Sequence, residues 1–245
     1  MRIVTWNCCR GTFARKGPPI EALSPDLLIL QECARPRRGS GFDGLWFGDD
    51  PRKGIAVIAR NGFEIRAARR NPQVPRWCVP LEVTGPSEVF QLLAVWALQD
   101  PDYPYVRGLH RAIEIYRRRI RSRPTVIAGD FNSNSFWDKK RPGAKDHGAL
   151  VRELAELGLA SGYHAFFGEK HGEETRPTFY FQWNENRRYH IDYCFIPEVW
   201  LGRLRHAEVG DFAGWREWSD HRPLWVDLEP EGANRSEFVP PERAR

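Results

Sequence analysis

The sequence predicts a layered α/β domain, rich in strands and largely antiparallel, on three observations. Apolar runs of strand length recur along the chain, several stop abruptly at a carboxylate or carboxamide, and two segments of helical periodicity interrupt them. Strands covered on both faces read as continuous hydrophobic runs, and ligands in layered α/β folds gather where such strands end. The clearest case is Val126-Ile127-Ala128-Gly129-Asp130-Phe131-Asn132-Ser133-Asn134. It delivers Asp130 and Asn132 to the edge of a pocket, although an Asx turn capping the next segment explains the same residues.

Length and composition bound the rest. At 245 residues and 41% apolar content the chain can bury a full core. No repeat, low-complexity block or run of like charge divides it, so a single domain is expected over residues 1–228. The net charge of +5 suits an anionic substrate and equally a merely soluble basic protein. No apolar stretch approaches 18 residues, and Met1-Arg2-Ile3-Val4 opens into a strand pattern rather than a signal peptide, so a soluble, cytoplasmic protein without a membrane span is expected. Five cysteines, including the adjacent Cys8 and Cys9, lack CxxC spacing and read as reduced packing residues.

Taken in order, Arg2 to Trp6 alternate as a strand ending at Asn7, ahead of the turn-prone Arg10-Gly11-Thr12. Leu27-Leu28-Ile29-Leu30 is a buried strand that finishes in Gln31-Glu32. A glutamate there is costly unless it is paired or holds a cation, and Arg35, Arg37 and Arg38 offer a plain salt bridge as the rival account. Gly54 to Ala59 and Phe63 to Ala67 read as hairpin-like strands joined by the turn dipeptide Asn61-Gly62. Cys78 to Val83 and Val89 to Val95 read as an antiparallel pair turning at Gly85-Pro86.

From Val106 to Ile120 the apolar residues fall on one helical face, with Leu109, Ile113 and Tyr116 among them. Arginines cover the other side, with Glu114 at pairing distance from Arg118, which reads as a solvated face. Asp146 to Leu157 is a second helix ending at Gly158, followed by a short apolar segment around Leu159. Arg176 to Phe181 and Tyr189 to Ile196 are further strands, the second carrying Asp192 in an apolar setting where it needs a partner. The last strand, Pro223 to Leu228, is preceded by Ser219-Asp220-His221, and the Pro-, Glu- and Arg-rich segment 229–245 is expected to be a disordered tail.

The polar groups at strand ends are therefore Asn7, Glu32, Asp130, Asn132, Asp192, Asp220 and His221. A set this rich in hard oxygen suits Mg²⁺ or Mn²⁺ and not structural zinc. It also holds what hydrolysis of a phosphate ester needs: a metal to neutralise charge, a carboxylate to orient water, and donors for phosphoryl oxygens.

Five segments carry a family resemblance: Arg2-Ile3-Val4-Thr5-Trp6-Asn7, Leu30-Gln31-Glu32, Ala128-Gly129-Asp130-Phe131-Asn132, Tyr189-His190-Ile191-Asp192-Tyr193 and Ser219-Asp220-His221-Arg222-Pro223. Their order and spacing resemble the endonuclease/exonuclease/phosphatase superfamily, which includes abasic-site endonucleases, DNase I-like nucleases, sphingomyelinases and inositol-polyphosphate phosphatases. The resemblance implies a DNase I-like four-layered sandwich of two mostly antiparallel sheets flanked by helices. It implies that Glu32 is the main Mg²⁺ ligand, assisted by Asn7 and Asp220. Asp130 would orient or deprotonate the attacking water, Asn132 would bind the phosphate, and His221, held by Asp192, would donate to a phosphoryl oxygen.

The chain departs from the family in one place. Many members carry a histidine where this strand reads Leu93-Ala94-Val95-Trp96-Ala97-Leu98-Gln99, so Tyr103, Tyr105 or His110 is left to supply the second phosphate contact. The expected activity is a metal-dependent phosphodiester hydrolase, with DNA or RNA favoured as substrate. The alternatives are a phosphatase or phosphodiesterase of small or lipid phosphate esters, and a non-catalytic nucleic-acid-binding member.

Overall fold

β1 (Arg2–Asn7) and β2 (Leu27–Cys33) lie side by side and parallel, with α1 (Phe13–Glu21) as the crossover between them. The structure, a computed structural model, describes residues 1–37, 39–99, 104–138 and 145–230. The chain continues through β3 (Leu45–Asp50), β4 (Lys53–Ala59), β5 (Glu64–Ala67), β6 (Cys78–Thr84) and β7 (Val89–Trp96). Then come α2 (Val106–Ser122), β8 (Thr125–Asp130), α3 (Ser135–Asp138), α4 (His147–Glu156), β9 (Leu159–Ser161) and α5 (Gly162–Phe167). The short β10 (Phe179–Tyr180) and β11 (Arg188–Tyr189) precede β12 (Asp192–Pro197), β13 (Leu204–Val209), α6 (Phe212–Trp215) and β14 (Leu224–Leu228).

Two mixed sheets result, ordered β13-β14-β1-β2-β4-β3 and β5-β6-β7-β8-β12-β9. Each has a parallel pair joined by a crossover helix, β1 with β2 and β7 with β8, flanked on both sides by antiparallel strands. The layers follow from the period of two along a strand. Ile3, Leu27 and Ile29 join the core shared with the second sheet, whereas Val4, Trp6, Leu28 and Leu30 pack with Phe13 and Ile20 of α1. On the second sheet Leu109, Ile113, Tyr116 and Ile120 of α2 are buried in the same core as Leu92 and Val126, and the outcome is the four-layered sandwich.

Several segments differ from expectation. Asn61 and Gly62 do turn with positive φ, 56° and 82°, yet β4 pairs with β2 and β5 with β6, so the turn carries the chain from one sheet to the other and closes no hairpin. Within Arg176 to Phe181 only Phe179–Tyr180 is strand, and the expected strand from Tyr189 breaks at His190 and Ile191 before β12. α1 contains Pro18 and Pro19, which hid it in the sequence, and β3 and β13 were likewise not anticipated. Glu114 pairs with Arg111 at 3.2 Å, not with Arg118. The β6 and β7 hairpin and the two longer helices form as expected; Asp146 caps α4 by accepting the Ala149 N–H at 2.8 Å. Glu229 is tied back by its N–H to the Arg203 carbonyl, and the rest of the expected tail, residues 231–245, lies outside the described residues.

All five cysteines are free; Cys8, Cys33, Cys78 and Cys194 are buried and Cys9 is partly exposed. No helix among the described residues is long and apolar enough to cross a membrane.

Candidate active site

Asp130 and Asp192 close the ends of β8 and β12 as direct partners in the antiparallel register, and both are fully buried. Like charges placed opposite each other across a sheet destabilise it, so the arrangement needs compensation. Gly129, with φ at +146°, lets β8 approach β7 one residue before Asp130: a Cβ there would meet the Val95 carbonyl oxygen at 1.9 Å. Asp130 is held by the Asn132 N–H at 2.8 Å on Oδ1, and by the Asn7 and Asn132 carboxamides at 3.0 and 3.1 Å on Oδ2. Asn132 also donates to the Ala97 carbonyl at 2.9 Å, so its Nδ2 is engaged within the protein.

Asp192 Oδ2 lies 2.9 Å from His221 Nδ1, while Asp192 Oδ1 is buried and accepts no hydrogen bond. Burial opposes the imidazolium of His221, but Asp192, then Asp130 and Asp220, outweigh it and raise its pKa to about 9. Burial first, and Asp192 second, push the Asp130 carboxyl far above the usual carboxylate range. Ligating atoms of Asp130, Asp192 and His221 all lie within 4.8 Å of one another.

Glu32 arrives through a bulge. The register of β2 against β4 shifts between Leu30 and Cys33, and Glu32 takes a left-handed backbone, φ 58°. A β-bulge re-aims a side chain, and strain of this kind collects at functional sites. Here it brings the Glu32 carboxylate to 3.3 Å from Asn7 Nδ2, since Asn7 is already the neighbour of Gln31 across β1 and β2. Ser219 anchors the opposite wall, donating to the Asn7 carbonyl at 2.7 Å and accepting the His221 N–H at 2.9 Å. Asp220 Oδ1 lies 3.5 Å from the Ser219 hydroxyl that bonds the Asn7 carbonyl, and burial, then Asp220 and Glu32, push the Cys9 thiol up to about 12.

The fold thus gathers Asn7, Glu32, Asp130, Asn132, Asp192, Asp220 and His221 from both sheets. Tyr103 lies outside the described residues. Tyr105 is exposed at the start of α2, its N–H bonded to the Leu98 carbonyl at 2.9 Å, one residue past the carbonyl that holds Asn132. His110 is buried against Glu153 and the Asp146 carbonyl, at 2.9 and 3.0 Å, and serves to tie α2 to α4. Of Trp96 and Ala97, the two residues left open for the place where the resemblance implies a histidine, Trp96 is the register partner of Asp130, and both are buried.

Three residues to which the sequence assigns no role hold the site in place. Thr178 Oγ1 accepts the N–H groups of Ile191 and Asp192 at 2.9 and 3.1 Å, a hydroxyl cap on the broken strand that carries Asp192. Arg222, fully buried, donates to the Ser219 and His221 carbonyls at 2.7 and 3.0 Å and so fixes the turn bearing His221. Lys16 of α1 donates to the Trp218 carbonyl and holds the same turn from the first sheet's outer layer. The signal for Thr178 and Arg222 was their apolar surroundings, in which a polar side chain must find partners.

A cleft of about 580 Å³ is lined by Trp46, Trp77, Lys53, Arg70 and Arg76, with Asp49 and Asp50, and meets the cluster's strand through Trp96, the register partner of Asp130. It adjoins a second hollow bordered by Arg10, Arg35, Arg37 and Arg52, with Asp50 and Lys53 common to both. The oxygen-rich donor set of Asn7, Glu32 and Asp220, next to two buried carboxylates and the unbonded Asp192 Oδ1, fits a hard divalent cation.

Structural comparison gives the same fold in proteins of low identity. The 3' phosphatase NExo from Neisseria, solved with a product DNA hairpin, aligns with a TM-score of 0.69 at 18% identity, covering 94% of this chain and 99% of that one. An AP endonuclease from Archaeoglobus fulgidus aligns with a TM-score of 0.69 at 16% identity, over 94% and 99%. The endonuclease domain of TRAS1, a telomere-specific non-LTR retrotransposon, gives 0.65 at 20% identity, over 94% and 98%. No curated protein sequence matches the chain. Residues 4–221, from the strand that bears Asn7 to His221 itself, match the Endonuclease/Exonuclease/phosphatase family, and the chain belongs to it.

Proposed function

We propose that the protein is a Mg²⁺- or Mn²⁺-dependent phosphodiesterase acting on nucleic acid. The observation that carries this reading is the pairing of Asp130 and Asp192 in register, with His221 bonded to one and Asn7 and Asn132 to the other. A merely structural site gains nothing from two desolvated carboxylates placed side by side. Glu32 and Asn7, with Asp220, would hold the ion, which when bound neutralises charge on the phosphoryl oxygens.

The chain's own groups divide the remaining work. Asp130, with a proton affinity raised by burial and by Asp192, accepts a proton from the attacking water and orients it for in-line displacement. With Nδ1 committed to Asp192, His221 is left to donate from Nε2 to a non-bridging oxygen as charge builds there. Asn132 fixes Asp130 and contacts the phosphate by exchanging one of its present hydrogen bonds. Tyr105, with Tyr103, is the proposed second phosphate contact.

Nucleic acid is favoured over small esters because two adjoining hollows, which share Asp50 and Lys53, combine indole faces with lysine and arginine. NExo and the AP endonuclease, similar in fold, support the same direction. The test is hydrolysis of single-stranded DNA, abasic-site duplex, RNA and a small aryl phosphodiester with Mg²⁺, each repeated with EDTA. EDTA-sensitive cleavage of a polynucleotide is expected; cleavage of the aryl ester alone would replace nucleic acid by small esters, and no cleavage of any would remove the enzymatic reading.

A further inference from the structure

Four histidines gather behind the Asp130 loop, none of them used by the proposed hydrolysis. His147, His164, His171 and His190 surround the buried ring of Tyr193, at centroid distances of 4.9, 6.1, 5.9 and 5.1 Å. His171 stacks on His164 at 3.5 Å and 18°, and His164 Nε2 lies 3.1 Å from Glu174 Oε1. Ligating atoms of His164, His171 and Glu174 lie within 4.8 Å of one another.

Two features separate this cluster from a satisfied buried network. His190 Nδ1 is 2.8 Å from the Arg176 carbonyl, which can only accept, so Nδ1 carries the proton and Nε2 presents a lone pair. That Nε2 is buried with no partner, as are His171 Nδ1 and His147 Nε2, although buried polar nitrogens are normally bonded. The rings of His190 and His164 are 5.7 Å apart, edge to face, while the three ligating atoms that lie within 4.8 Å of one another come from His164, His171 and Glu174.

The second feature is the spacing and support of the donors. With metal bonds of about 2.0–2.1 Å, two ligands of a tetrahedral ion sit roughly 3.3 Å apart, close to the separation of His164 Nε2 and Glu174 Oε1. His164 is held through the nitrogen that faces away from Glu174, and Glu174 through Oε1 itself, so an ion would replace one of the hydrogen bonds on that oxygen. Ser161 Oγ lies 2.8 Å from His164 Nδ1, and Glu174 Oε1 accepts from Gly172 N at 2.9 Å and from Asn134 Nδ2 at 3.1 Å.

We propose that His164, His171 and Glu174, with the His171 ring turned off its stack against His164, form a second metal site that takes a divalent transition ion of the zinc class and is structural. Imidazoles with one carboxylate suit zinc and not Mg²⁺, which sets this site apart from the oxygen-rich cluster. The ion fastens the segment from Gly168 to Thr178, whose last residue caps the strand bearing Asp192. Through Asn134 it also braces the loop that follows Asp130.

The test uses chelator-treated full-length protein in excess Mg²⁺, titrated with Zn²⁺ by calorimetry and with Co²⁺ by visible absorption. One equivalent of Zn²⁺ is expected, with the intense bands of tetrahedral Co²⁺ and a rise in Tm on adding Zn²⁺. Glu32→Gln should keep all three, whereas His171→Ala and Glu174→Gln should each weaken Zn²⁺ at least roughly 100-fold. The wild-type and Glu32→Gln titrations decide the matter even if the other two variants do not fold. Absence of stoichiometric Zn²⁺ binding in the wild type overturns the proposal, as does binding that Glu32→Gln abolishes or that a folded His171→Ala retains unchanged.

Discussion

Asp130 and Asp192 face each other across neighbouring strands, and the hydrogen bond from His221 to Asp192 answers one charge while Asn7 and Asn132 answer the other. His221→Ala and Asp130→Asn should therefore each lower kcat by roughly two to four orders of magnitude, the scale for losing an electrostatic donor or a general base. Circular dichroism and Tm should show both variants folded. A folded variant with near-normal kcat removes that residue from the chemistry.

The bulge that turns Glu32 towards Asn7 makes it the best placed carboxylate for the divalent ion. Glu32→Gln should weaken Mg²⁺ binding by at least about tenfold, because a neutral carboxamide attracts a hard dication far less at contact distance. Calorimetry reads the affinity directly. An unchanged value assigns the ion to other ligands.

Gly129 lets β8 approach β7 one residue before Asp130. Alanine there would combine a left-handed φ with a Cβ at 1.9 Å from the Val95 oxygen, so strand β8 must move away from β7. Gly129→Ala should cost about 3 kcal/mol or more in urea unfolding and abolish activity with it. A loss below about 1 kcal/mol would mean that the strands separate freely there.

Alkaline pH should destabilise the fold through its buried thiols. Burial raises Cys78 and Cys194 from an ordinary 9.0 to about 12 in the folded state. Between these values the unfolded chain sheds protons that the folded one keeps, so stability is whole below pH 9 and falls as pH rises towards 12. Each thiol contributes a slope of about 1.4 kcal/mol per pH unit. Urea midpoints at several pH values should fall less steeply for Cys78→Ala than for the wild type, and parallel lines would refute the assignment.

Proteins that grip a polynucleotide through several cations release counterions on binding. Log affinity of the Asp130→Asn protein for a DNA oligomer should therefore fall steeply with log salt, and Arg76→Ala, at the cleft, should lower that slope by up to about 1. A flat slope with only millimolar binding moves the substrate to small phosphate esters.

The sequence by itself determined the strands that bury both faces and the residues at their ends. Leu27 to Leu30 and Val126 to Ala128 are apolar without interruption, and a carboxylate after such a run must meet a partner or an ion wherever the fold takes it. Local pattern therefore exposed Glu32, Asp130, Asp192 and His221. It could not show that Asn61-Gly62 hands the chain from one sheet to the other, because the same left-handed turn serves a hairpin or a crossing and only the pairing partners differ. It could not find α1, whose two prolines imitate a loop while Phe13 and Ile20 are held by the outer face of the first sheet. Nor could it bring His147, His164, His171 and His190 together. They come from two helices and two loops that meet only around Tyr193, and proximity of that kind is set by packing across the chain, not by spacing along it.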